Sequence, residues 1–287
     1  MPLEEIFCLI DDFCKYFERH SQFVEIGRAR KKTRVPEMSL SEMMTIVVLF
    51  HMSGFKTFKH YYNSHILGHF RGCFPKAISY NRFIALMPRT FMPLLVLSQA
   101  VRGKRTGKYF VDSSKLQVCH NLRIWNHKVF KGLAQRGKTS TGWFFGFKLH
   151  LILNERGEIV QFCLSPGNVH DSKMVQKMAK GLEGWLFGDK GYLSQPLSDS
   201  LAKQGLSLFT KTRKNMKPKT LSSLQKFYLS KRSLIETVID QLKAICSIDH
   251  SRHRSPQNFL VNFLSSLLAY TFKFKKPSLN FSNLIQN

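Results

Sequence analysis

Asp112 in KYFVDSS, Asp189 in LFGDKGY and Glu236 in KRSLIETVIDQLK are three of only ten carboxylate side chains beyond residue 100. The two aspartates each close a short apolar run, where a buried strand would leave a sheet. Glu236 falls in a helical pattern. Hard oxygen donors so placed in a basic chain suit divalent cations. Two Mg2+ ions roughly 3.5–4 Å apart activate an attacking oxygen and stabilise a leaving one in phosphodiester displacement. Either aspartate alone could simply cap a helix, so the helix carries the weight. Arg232, Glu236, Asp240 and Lys243 are spaced four, four and three residues apart and share one face. Leu234, Val238, Leu242 and Ile245 form the opposite, core-facing side. A surface ladder of ion pairs would explain that helix but not the two strand-end aspartates. A metal pair accounts for all three acids, with Arg232 and Lys243 free to grip phosphate.

The elements that must position these groups are legible in outline. The first hundred residues read as helical. Ser39-Leu-Ser-Glu42 is a capping box opening a helix to about Met52. Ser53-Gly54 then turns the chain into a second helix over 55–67. A third begins near Ser79 and stops before Pro88, and a fourth covers about 91–101. Helix, glycine turn, helix is also the outline of a helix-turn-helix DNA reader. After Gly107 the pattern changes: a strand over 108–111 ending at Asp112, a hairpin of 143–153 and 158–164 turning at Asn154–Gly157, and a helix from His170-Asp171-Ser172 to about Gly181. Strands at 185–188 and 206–210 follow, then helices at 230–247 and about 256–272. The stripe Leu260, Phe263, Leu264, Leu267 and Leu268 reads as the face of a helix covering the sheet. The order fits an α+β protein: a helical N-terminal region (1–105), an RNase H-like mixed sheet flanked by helices (106–275) and a C-terminal tail (276–287). In such a sheet, acids at the ends of the first and fourth strands meet if those strands are neighbours.

Lys and Arg number 44 against 18 Asp and Glu, for a net charge of +26. Such a charge points first to nucleic acid as partner. The excess sits late: 13 basic against 8 acidic residues up to residue 100, and 31 against 10 beyond it. Hydrophobic residues at 43% and aromatics at 13% suffice for a core, which excludes a disordered chain. The six cysteines show no paired spacing and read as reduced thiols. The apolar stretches at 43–50 and 260–272 fall short of a membrane span, and the acidic N-terminus lacks the basic region of a signal peptide. The chain therefore reads as intracellular, with no membrane partner.

The basic run 28–34 (RARKKTR) reads either as a solvated loop or as an arm that grips phosphate, and Lys211, Arg213, Lys214, Lys217 and Lys219 read as a track for the DNA backbone. Residues 132–139 match a phosphate-loop pattern letter for letter. That loop works only between a buried strand and a helix, and here a strand follows. Arg136 and Lys138 are accordingly assigned to DNA backbone. Trp143, Phe144 and Phe145 read as core. His150, His170, His250 and His253 lack the clustering of a zinc site.

VDSS, GWFFGFKLH, PGNVHDSK, FGDKGY and the spacing of Arg232, Glu236 and Lys243 strongly resemble bacterial insertion-sequence transposases of the DDE type, over about residues 35–275. The resemblance implies an RNase H-like catalytic domain and two Mg2+ or Mn2+ ions held by Asp112, Asp189 and Glu236. It further implies metal-dependent strand cleavage and strand transfer on double-stranded DNA, at terminal inverted repeats and a target, by a homodimer on paired ends in the bacterial cytoplasm at the nucleoid. Arg232 and Lys243 match the phosphate-holding pair of the helix signature. His170 and Asp171 match a motif that would support the site. The family's Tyr three residues before the Arg is absent: Leu229 stands there, with Tyr228 beside it. Two other readings remain open, a DNA-binding protein without catalysis and a stand-alone RNase H-like nuclease.

Overall fold

The computed structural model describes residues 1–20, 38–211, 220–249 and 253–279. The run 28–34, Arg213, Lys214, Lys217, Lys219 and His250 lie outside the described residues. Helices α1 (Leu3–His20), α2 (Leu40–Phe50), α3 (Tyr80–Leu86) and α4 (Phe91–Ala100) come first. Strands β1 (Lys108–Cys119), β2 (Gln135–Thr139), β3 (Gly142–Asn154) and β4 (Ile159–Pro166) follow. Next are α5 (Asp171–Met178), β5 (Gly184–Gly188), α6 (Gln195–Ala202) and β6 (Leu206–Thr210). The last helices are α7 (Ser223–Ser230), α8 (Ser233–Ala244) and α9 (Pro256–Thr271). The protein is α+β and forms two compact units. The first joins Met1–Val101 to Leu242–Ile248 and His253–Phe274, and the second centres on Arg102–Gln241.

In the helical unit the capping box forms. Ser39 Oγ accepts the Glu42 N–H at 3.1 Å, and Glu42 accepts the Ser39 N–H at 2.7 Å. The segment expected as one helix over 55–67 is instead a short turn, Phe58–His60, running into a π-helix, Tyr61–His69. Its inner side is aromatic: Phe58, Tyr61 and Tyr62 pack with Phe50 and Phe83. The expectation that residues 260–272 cover the sheet is corrected. In α9 every residue from Val261 to Tyr270 is buried, and its contacts are with α2 and α4 of the helical unit. A helix buried on all sides belongs inside a bundle. The stretch Tyr80–Ala100 has the length and composition to cross a membrane. It is broken by a 3-10 turn at Met87–Thr90, and α4 packs on α9.

The second unit is built on one six-stranded sheet. β3 pairs antiparallel with β1, and β2 and β4 pair with successive halves of the opposite edge of β3. β5 lies parallel to β1, and β6 parallel to β5. The first strand of the sheet thus has the hairpin on one side and the parallel strands on the other, the arrangement expected for an RNase H-like sheet. Side chains alternate across it. Tyr109, Val111, Leu186 and Leu206 enter a core with Met174, Val175 and Met178 of α5 and Leu197 and Leu201 of α6. Phe110, Phe187 and Phe209 face the other way and pack around Tyr228 of α7, with Phe187 stacked on Tyr228 at 5.5 Å. Tyr228 and Leu229 are core residues, so the tyrosine's place here is packing.

Candidate active site

β1 carries Asp112, and Asp189 directly follows the last residue of β5. Phe110 pairs with Phe187 across the two parallel strands, and each aspartate lies two residues further on. Asp112 therefore shares the α7 face of the sheet with Phe110. Asp112 does not end its strand, as the apolar run suggested, because β1 continues to Cys119 along β3. What ends there is the pairing with β5. Asp189 does leave the sheet: it caps the 3-10 turn Lys190–Tyr192, accepting the Lys190 N–H at 2.6 Å. Gly188 lets that turn fold close, since a Cβ there would stand 3.0 Å from the Tyr192 ring and 3.1 Å from Val111.

Glu236 reaches the pair through Arg232. The helix expected over 230–247 is shorter, α8 over Ser233–Ala244, and an unexpected helix, α7, precedes it; the chain turns between them at Lys231-Arg232, which sets Arg232 at the entrance of α8. Its guanidinium lies 3.6 Å from Asp112 and donates to Glu236 at 2.6 Å. The Asp112 carboxyl is pushed up to about 6, first by burial and then by the negative charges of Asp189 and Glu236; the Ser113 N–H and Arg232 oppose the shift. Asp112 thus feels both of the other acids. Among the described residues, no three His, Cys, Asp or Glu side chains stand close enough to close on one ion. The cation between Asp112 and Glu236 is Arg232. A half-buried carboxyl with raised proton affinity, its acidic neighbours and a guanidinium standing in as counter-ion are oxygen donors of the kind that suits a hard divalent cation.

Behind the aspartates lies a polar layer. Lys148 donates to Asp171 at 3.0 Å and to the Val169 carbonyl at 3.0 Å. His150, fully buried, has Nε2 2.8 Å from Ser165 Oγ and Nδ1 3.9 Å from Asp171. Tyr192 is buried with its hydroxyl near Ser113, and burial, Asp112 and Asp171 hold it well above the ordinary tyrosine range. His170, rather than Asp171 or Ser172, caps α5, its Nδ1 accepting the Ser172 N–H at 3.3 Å. Asp171 is freed to meet Lys148. Lys148 and Tyr192 were not singled out from the sequence, although both sit inside the quoted motifs.

The other nominated residues are more scattered. Lys243 lies in the last turn of α8, seven residues beyond Glu236 and so about 10.5 Å along the axis. Ile245, expected on the core face, is 49% exposed, because α8 ends at Ala244 and Cys246 takes the buried place. Arg136 and Lys138 are exposed on β2. Lys211 is exposed at the end of β6, and Arg213 and Lys214 lie outside the described residues. The phosphate-loop pattern is extended strand: Gly137 pairs with Phe144 of β3 and lies against Gly167. Trp143, expected in the core, is half exposed, while Phe144 and Phe145 are buried.

The family model described as a transposase DDE domain matches residues 102–256. The chain belongs to this transposase family. The match spans more than half of the chain and includes all three acids. Such transposases act on DNA and generally use divalent metals. Comparison with curated proteins finds no match.

Proposed function

We propose that this transposase cuts DNA strands at the ends of an insertion sequence and joins them to a target, with Asp112, Asp189 and Glu236 holding two Mg2+ or Mn2+ ions. The observation that carries the reading is that Asp112 and Asp189 stand at the same offset beyond paired residues of neighbouring parallel strands, with Arg232 linking Asp112 to Glu236. When bound, the metal pair supplies activation of the attacking oxygen and charge stabilisation of the leaving one. The chain's own part is positional. Asp112, half-buried and flanked by like charge, is a ligand for which proton and metal compete. Arg232, relieved of neutralising two carboxylates, is available to a phosphate oxygen beside them.

Lys243, Lys211, Arg213, Lys214, Arg136 and Lys138 supply the cationic surroundings that the phosphate backbone requires. The substrate is double-stranded DNA bearing terminal inverted repeats, engaged by two copies of the chain on paired ends, and the setting is the bacterial cytoplasm. In the test, Asp189→Asn binds an inverted-repeat duplex as the wild type does and loses Mg2+-dependent nicking. Nicking at the wild-type rate would remove Asp189 from the site.

A further inference from the structure

Between Asp112 and Glu155 the chain carries seven Lys and Arg and no acid. This cationic segment displays apolar groups in the open. Trp125 is 93% exposed, Leu122 85%, and Leu133 and Trp143 50% each. Their exposure is imposed by a fixed scaffold. The segment that follows β1 and carries Trp125 is pinned by Phe130, which is buried edge-on to Phe147 at 5.7 Å. His127 adds a contact on Phe145, and Asn121 donates to the Trp143 carbonyl at 2.9 Å. Trp143 is itself clad in cations, with Arg136 at 4.7 Å and Lys138 at 5.6 Å from its ring. A monomer does not ordinarily leave one tryptophan almost wholly in water and a second half exposed within twenty residues of it. Arginine and lysine interleaved with open aromatic rings make a surface that tracks a phosphate backbone and stacks on unpaired bases. Two copies of so acid-free a surface would repel each other, which favours a polyanion over self-association.

We infer that Trp125 and Trp143, with Arg136 and Lys138, form a base-stacking platform for unpaired or distorted DNA strands. The inference rests on the DNA-acting reading above and adds the kind of DNA that one part of the surface takes. Trp143 lies eight residues along β3 from Leu151, the partner of Asp112, hence about 26 Å from the acids. The platform therefore holds DNA away from the cleaved bond. The experiment uses the full chain without divalent metal, with a fluorescein-labelled single-stranded thymidine 20-mer and a matched duplex as probes. Trp125→Ala should weaken the single strand about tenfold and the duplex less than twofold, and Trp125→Phe should restore most of the loss. Single-strand affinity unchanged in Trp125→Ala overturns the platform, as does a smaller particle mass by light scattering with DNA affinity intact, which would assign the ring to a second copy. If the wild type binds neither probe, the DNA-acting reading falls with it.

Discussion

At the level of single residues, His150 shows how the site's surroundings are tuned. Burial presses its imidazole down to about 4, and Lys148 adds to the effect while Asp171 opposes it. An unfolded histidine titrates near 6.5, so between pH 6.5 and 4 the unfolded chain binds the extra proton. The stability that neutral His150 contributes is complete above pH 6.5 and is lost as pH falls toward 4. Unfolding of the wild type followed from pH 7 to 4.5 should lose up to about 3 kcal/mol from this group. His150→Asn should show a shallower acid slope, whatever its stability at neutral pH. Parallel slopes in the two proteins would mean that His150 is already protonated in the fold. The acids of the site were legible as types and spacings. Their company was not. Nothing in the sequence places Lys148 and His150 near them or brings the Tyr192 hydroxyl to Ser113, because that neighbourhood is made by the pairing of β1 with β3 and by the turn after β5.

At the level of elements, most strands and helices follow from periodicity and caps, and β6 matches its expected span. The departures have physical causes. β2 is polar and glycine-bearing, and only the edge of β3 makes it a strand. The break between α7 and α8 falls where no proline or glycine marks it. α9 reads as amphipathic, yet Ser265, Ser266 and Asn262 are buried with its apolar side. Gly137 gives a test of the strand reading. A Cβ there would come 2.2 Å from the Gly167 carbonyl oxygen and 2.8 Å from Phe144, so Gly137→Ala should cost about 1–3 kcal/mol, measured by denaturant unfolding. Mg-ATP should leave the melting temperature of the wild type unmoved. A nucleotide-dependent rise would restore the phosphate-loop reading.

For the whole molecule, the decisive property is charge. The net +26 is concentrated beyond residue 100, in the stretch that also holds the sheet and the acids. If six or more phosphates are neutralised, duplex affinity should fall about a thousandfold between 50 and 200 mM salt. Anisotropy titrations over that range provide the measurement, and a change of only a few fold would show that most of this charge serves something other than DNA.

The matched offsets of Asp112 and Asp189 bear on how this molecule can vary. Adding or removing one residue between Lys108 and Asp112, or between Trp185 and Asp189, would turn one acid to the opposite side of the sheet while the other stayed. Length can drift in the connection between β6 and α7, which carries neither acid. Natural variants should therefore carry their insertions there and keep those two five-residue spans intact.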